Sequence, residues 1–298
     1  MLRKKGGNYL PETIGKDGCP RMLFELDGIP FVLQKPADLG FLRPYGRCFR
    51  IWDRGNSGNL CFGMEGPYGK LFIKYAGARP ERYMGRPGAA EELLQKAAAY
   101  YQPSQEGLTR LLSHGRTSEG YALVFAYEEG AALSGDPLYP DMLDRLLYVP
   151  TAQKLRMAET LFSLMLSLEK RNLMAVDLSE ENLILNLGQG TLTLCDIDQY
   201  RPFPFRCVGR QPGSPRWQAP EEKKEDETLD ARTAVYRLGM IAFDLFALGN
   251  PRKREVFETS TALFDVACRA ADPDRGKRYP NVEVFLDAWR KAVGETPV

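Results

Sequence analysis

Two groups of residues have the types and spacing that chemistry would need. The first is Asp53-Arg-Gly55-Asn-Ser57-Gly58-Asn-Leu60, followed fourteen residues after Leu60 by Lys74 inside an apolar run. Glycines at a strand-to-strand turn let backbone N–H groups approach phosphate oxygens, because no Cβ stands in the way. The same residues also fit a surface turn beside an exposed lysine. The second group is Asp177-Leu-Ser-Glu-Glu-Asn182, with Asp196-Ile197-Asp198 beginning fourteen residues after Asn182. Hard oxygen donors in this grouping suit Mg²⁺, which keeps some of its waters and shares substrate phosphates. Their alternative reading is as turn residues at the ends of a helix and a strand.

These groups need elements to hold them. Residues 22–33 predict a hairpin, with Asp27-Gly28 as a turn between two apolar runs. Strand-like runs at 59–64 and 70–75 flank the loop 65–69. In the second run Leu71, Ile73 and Tyr75 share one face and Phe72 and Lys74 the other. Residues 89–101 predict a helix, with Glu91 and Glu92 near its start and Leu93, Leu94, Ala97, Ala98 and Tyr101 at helical spacing. Residues 121–127 predict a buried strand. Asn182 leads into a short hairpin, 183–187 and 191–195, turning at Gly188-Gln-Gly190. Long helices are predicted over 151–171, 234–248 and 282–292, and residues 1–20 as a loose arm. The pattern is α+β and two-lobed: β-rich with one main helix first, mostly helical after about residue 140.

Composition narrows the class. The 298 residues are 44% hydrophobic and 27% charged, as in an ordinary globular protein. Lys+Arg 40 against Asp+Glu 39 gives a net charge of +1, so no global field favours nucleic acid or an acidic membrane. No apolar run approaches the ~20 residues that span a bilayer. The start Met1-Leu-Arg-Lys-Lys-Gly-Gly has no apolar core after it and does not predict a secretory signal. One histidine, His114, and six scattered cysteines without a CxxC pair disfavour zinc and histidine-based catalysis. Cysteines so distributed fit a reducing cytoplasm.

The order of glycine turn, strand lysine, helix glutamate, Asp-x4-Asn, hairpin and Asp resembles that of eukaryotic-type protein kinases. The resemblance continues in Gly213-Ser-Pro-Arg-Trp-Gln-Ala219-Pro220-Glu221, in Asp230-Ala-Arg-Thr-Ala-Val-Tyr-Arg-Leu-Gly239 and in Asp272-Pro-Asp-Arg-Gly-Lys-Arg278-Tyr-Pro. It covers about residues 48–293. The runs Ser57-Gly-Asn-Leu-Cys-Phe-Gly and Cys195-Asp-Ile-Asp are similar to bacterial proteins described as serine/threonine protein kinases.

The resemblance implies a bilobal protein-kinase-like fold. Residues 1–47 would be an extension, arm and hairpin, packed on an N-lobe of 48–130, with a C-lobe of 131–293. It implies ATP and Mg²⁺ and transfer of the γ-phosphate to a serine or threonine hydroxyl of a protein substrate. Gly55, Ser57 and Gly58 would cover the phosphates. Lys74 would hold them, fixed by an ion pair with Glu91, which has Leu94 and Ala98 three and seven residues later. Phe125 would back the adenine pocket, with backbone groups of Ala126 and Glu128 on the adenine edge. Asp177 would accept or orient the substrate hydroxyl, and Asn182 and Asp196 would hold Mg²⁺. Glu221 and Arg278 would form a buried ion pair. A cytoplasmic monomer without nucleic-acid or membrane partners is the corresponding expectation.

Several positions depart from the family pattern. Asp53 stands at the first glycine of the loop and Ala175-Val176 precede Asp177. Ser179 replaces a lysine, Asp198 a glycine, and Ala234 an aspartate. These departures open two alternatives, a pseudokinase that senses nucleotide and a small-molecule kinase of aminoglycoside-phosphotransferase type. Residues 199–218 hold Arg201, Arg206, Arg210 and Arg216 and no acid, a surface expected to favour acidic or phosphorylated partners. Val176 cannot bind a loop phosphate, so activation by loop phosphorylation is not expected.

Overall fold

The computed structural model describes residues 13–14, 20–136, 138–209 and 211–295. The expected arm falls mostly outside them. The chain divides into two compact units, Met1–Ser104 with Thr109–Glu128, and Gln105–Leu108 with Glu129–Val298.

The first unit is built on antiparallel strands. A short strand β1 (Thr13–Ile14) pairs with β2 (Pro20–Leu26), which pairs with β3 (Ile29–Leu33). Asp27 and Gly28 both take positive φ, 52° and 89°, as a tight two-residue hairpin turn requires. A five-stranded sheet follows from β4 (Arg47–Trp52), β5 (Asn59–Gly66), β6 (Gly69–Ala76), β7 (Leu111–Arg116) and β8 (Tyr121–Ala126), in spatial order β4-β5-β6-β8-β7. The alternation read in β6 holds. Leu71, Ile73 and Tyr75 join a core with Leu60, Phe62, Met64, Ala122 and Val124, and the hairpin adds Phe24, Leu26, Phe31 and Leu33 to it. Each such side chain contributes on the order of 1.5–3 kcal/mol by leaving water. Residues 20–47 are thus part of this unit's core rather than a separate body. On the other face Phe72 meets Trp52 and Phe125, with ring centroids 5.3 and 6.3 Å apart. Helix α1 (Ala89–Ala97) continues as a 3-10 turn over Ala98–Tyr101.

The second unit is mostly helical. Its helices are α2 (Met142–Arg145), α3 (Thr151–Lys170), α4 (Ala231–Ala247), α5 (Thr261–Ala270) and α6 (Val282–Gly294). Strands β9 (Ala131–Ala132), β10 (Leu183–Asn186) and β11 (Thr191–Leu194) form a small sheet, and β12 (Phe205–Arg206) pairs with β13 (Thr228–Leu229). Helix α4 begins three residues before its apolar stripe, because the Asp230 side chain accepts the Arg232 N–H at 2.8 Å and closes a capping box with Thr233. Nearly all of α4 is buried, and an aromatic cluster of Phe162, Phe246, Phe285 and Trp289 joins α3, α4 and α6. Among the described residues no helix is long and apolar enough to cross a membrane.

Candidate functional site

In the first unit Lys74 lies mid-strand on β6, between Cys61 of β5 and Leu123 of β8, and is only 4% exposed. That excludes the reading of an exposed surface lysine. The turn before β5 is shaped by its neighbours. Gly58, at φ 86°, lies against the Tyr83 ring and the Ala90 methyl, where a Cβ would come within 2.6 Å of the ring. Gly55 has open space around it apart from the Ser57 hydroxyl, which is also 3.5 Å from the Asn59 N–H. Asp53 does not point an acid into this turn. Its carboxylate accepts the Val32 N–H of the hairpin at 3.0 Å.

The expected ion pair between Lys74 and Glu91 is not formed among the described residues. Glu92 is held by Arg86, at 2.9 Å through Nη1, and Glu91 lines a cavity with Lys35, Arg79 and Glu119. Phe125 packs edge-on against Tyr101, centroids 4.8 Å apart. The Ala126 N–H is committed to the Arg110 carbonyl at 3.0 Å, so of this residue's backbone only the carbonyl could meet a ligand edge. Burial pushes the Glu128 carboxyl above its ordinary value, opposed by Arg110.

In the second unit the two acidic groups converge. Leu183 pairs with Leu194 in the β10–β11 hairpin, and the Cys195 N–H donates to the Asn182 carbonyl at 2.8 Å. This sets Asp196 beside the end of the 177–182 loop. A reciprocal pair of hydrogen bonds between Met174 and Arg201 ties together the chain on either side of both acids. Asp177 and Asp196 adopt φ of 64° and 55°, a left-handed conformation that is uncommon outside glycine and clusters at functional sites. Gly213, at φ 101°, lies against the loop backbone, and a Cβ there would stand 2.9 Å from the Leu178 oxygen. The Ser214 N–H donates to that same oxygen at 3.1 Å.

Asn182 is engaged. Its Oδ1 accepts the Ser179 N–H at 2.8 Å and the Ser179 hydroxyl at 2.9 Å. Since a backbone N–H can only donate, the amide oxygen must be the atom turned toward Ser179, and both its lone pairs are used. Among the described residues no group of three His, Cys, Asp or Glu side chains could hold a metal by itself. A Mg²⁺ bound through one or two protein oxygens and substrate phosphates needs no such group.

Other residues support this loop without having been foreseen. Glu180 accepts the Ser214 hydroxyl at 2.9 Å and pairs with Arg216 at 3.4 Å. Arg216 also reaches Asp244 of α4 at 2.6 Å, and Asp244 accepts the Trp217 Nε1–H at 2.9 Å. Glu222 forms a fully buried ion pair with Arg237, next to the anticipated Glu221–Arg278 pair. Between them these side chains fasten residues 214–222 from beneath. No short spacing in the sequence signals the pairing, because its members are at least 15 residues apart. The expected basic surface over 199–218 is corrected accordingly. Arg216 is neutralised by Glu180 and Asp244. Arg201 stacks 3.8 Å over Phe205 and donates to Gln211 at 2.9 Å. Arg206 is exposed, and Arg210 lies outside the described residues.

Asp244 yields a pH prediction. Burial pushes its carboxyl up from 3.8 to about 6, with Glu180 adding and Arg216 and Trp217 opposing. The folded state then takes up this proton before the unfolded chain does. The associated stability is complete below the ordinary aspartate value and is lost as pH rises through about 6, amounting to about 3 kcal/mol. Asp244→Asn keeps an oxygen for Trp217 and cannot titrate. Urea unfolding at pH 5 and pH 8 should therefore show the variant gaining on the native protein at the higher pH. A difference that ignores pH rules the shift out.

Neither the protein-family models nor the curated proteins compared with this sequence match it.

Proposed function

We propose that this chain is a Mg²⁺-dependent phosphotransferase with the protein-kinase fold, moving the γ-phosphate of ATP to a serine or threonine hydroxyl of a protein. One observation carries the reading most directly. The hydrogen bond from Cys195 to the Asn182 carbonyl brings Asp196 against a loop that also presents Asp177, with Gly213 and Ser214 laid over it. The ordered motifs of the sequence, the buried strand lysine and the Glu221–Arg278 pair support it further.

In this reading Asp177 accepts the proton of the substrate hydroxyl as its oxygen attacks the γ-phosphorus and the bond to the ADP oxygen breaks. Lys74 and the backbone around Gly55, Ser57 and Gly58 hold the phosphates, and Phe125, the Ala126 carbonyl and the Glu128 backbone meet the adenine. Asp196 and Asn182 would hold Mg²⁺, which offsets charge on the phosphate oxygens. Asn182 must first release Ser179 to offer its Oδ1. Catalysis here is positioning and charge neutralisation, so few groups suffice. The setting we assign is a cytoplasmic monomer.

A second reading, a nucleotide-sensing module without turnover, draws on the engaged Asn182 oxygen and on the absence of a Lys74–Glu91 pair among the described residues. ATP hydrolysis and phosphotransfer assays with Mg²⁺ separate the two. Turnover supports the enzyme. Saturable binding of a fluorescent ATP analogue without turnover supports the sensor, and equal, negligible binding with and without Mg²⁺ excludes both.

Activity should not depend on loop phosphorylation. Between 199 and 218 the only hydroxyls are Tyr200 and Ser214, and both are buried; Ser214 is also bonded to Glu180. Phosphatase treatment of the purified protein should leave its ATP turnover unchanged, and a large loss reversed by rephosphorylating this loop would contradict that.

A further inference from the structure

We propose that the first unit carries a second binding site, a cavity of 250 Å³ at the foot of α1, and that it takes a small zwitterion of α-amino-acid size. Two basic and two acidic residues line it, Lys35, Arg79, Glu91 and Glu119, between the start of α1 at Gly88 and Tyr83. Among the described residues no ion pair joins any two of these four.

Their backing is fixed. The Arg79 Nε–H donates to Gln34 Oε1 at 3.3 Å, and the guanidinium lies 5.6 Å from the Tyr83 ring centroid. Gln34 in turn donates to the carbonyls of Pro80, Glu81 and Tyr83 at 3.1, 3.1 and 2.7 Å, pinning the wall. One oxygen of Glu119 accepts the Asp38 N–H at 2.8 Å, leaving the other for a ligand. Helix α1 opens at Gly88 without a side-chain cap, so its first N–H groups and positive dipole end lie at the cavity wall. Behind Gly77, another wall residue, lies the buried Tyr75 hydroxyl, beside that of Thr117.

The charge pattern decides the ligand. An anion would satisfy Lys35, Arg79 and the α1 N-terminus but would sit beside Glu91 and Glu119. A cation would meet the two acids and oppose the two bases. One molecule carrying a carboxylate and an ammonium meets all four. The volume admits an amino acid and is below the range of ~300–1,000 Å³ typical of drug-sized ligands. Resting on the phosphotransfer reading, the same site would also be regulatory. Glu91, in the first turn of α1, is the residue that reading pairs with Lys74. A ligand that engages Glu91 at the cavity would therefore withhold it from Lys74 and slow turnover.

Isothermal titration calorimetry of the full chain against the free L-amino acids tests the site without ATP. At least one should bind with one-to-one stoichiometry at or below ~1 mM, and its N-acetyl and carboxamide derivatives should bind at least about tenfold more weakly. Glu119→Gln and Lys35→Met, both at exposed positions, should each weaken binding about tenfold while melting as the native protein does. If no amino acid binds up to ~1 mM, or if binding is unchanged in both variants, the site is overturned. A protein that binds an amino acid in this way but never turns over ATP retains the site and loses only the phosphotransfer reading.

Discussion

Asp177→Asn should reduce phosphotransfer by about 10²–10⁴-fold while leaving ATP binding nearly intact. That range is what a positioned general base contributes. The amide is nearly isosteric and can keep the left-handed backbone, φ 64°, that Asn tolerates as readily as Asp. What it loses is the capacity to take the substrate proton. The assay is single-turnover transfer to a protein substrate, or ATP hydrolysis if none is found, with fluorescent-nucleotide titration run alongside. Unchanged turnover would remove Asp177 from the mechanism. Equal loss of binding and turnover would assign it a structural role instead.

Arg278→Met should lower the unfolding free energy by about 3–5 kcal/mol, the cost of leaving a buried charge without its partner. Arg278 Nη1 and Nη2 donate to the two Glu221 oxygens at 2.7 and 3.0 Å, a bidentate fork. Glu221 keeps one bond from Thr233, at 2.8 Å, and Arg278 also donates to the carbonyls of Asp272 and Arg232 and lies 4.7 Å over the Tyr236 ring. Removing it therefore strips several partners at once. Lys277→Met is the comparison. Its exposed pairing with Asp274, at 3.8 Å, should be worth less than ~1 kcal/mol. Burial pushes the Glu221 carboxyl up, but Arg278 and Thr233 bring it to a net position below the ordinary glutamate value. The stability it contributes is thus present above that ordinary value and lost as pH falls through the lowered one. The penalty of the Arg278 variant should shrink in acid, as urea melts at pH 7 and pH 4 would report.

Much of the local structure was legible in residue order. Asp27-Gly28 specified a hairpin because its backbone can take positive φ at both positions. The period-2 pattern of β6 by itself sets Lys74 opposite the core face of Tyr75. Helices α3 and α6 followed from apolar stripes of helical period. Elements whose sequence carries no clean period were missed. β4 and β7 are the edges of the sheet and mix charged and apolar residues, and α5 is short and interrupted by Asp265 and Arg269.

The candidate residues were readable for the same reason, since glycine, lysine, aspartate and asparagine at close spacing advertise their chemistry. Partnership over distance was readable only where a family resemblance supplied it, as for Glu221 and Arg278. Everything else about pairing depended on the folded chain. Asp53 meets Val32, Asn182 turns its oxygen to Ser179, Arg216 is claimed by Glu180 and Asp244, and Glu91 faces a cavity instead of Lys74. Each of these is a choice among competing partners, settled by which donors and acceptors burial brings within 4 Å. Residue order lists the groups and their local backbone preferences. Which of them meet is decided by packing, because a charge or amide removed from water must take whatever complementary group the fold sets beside it.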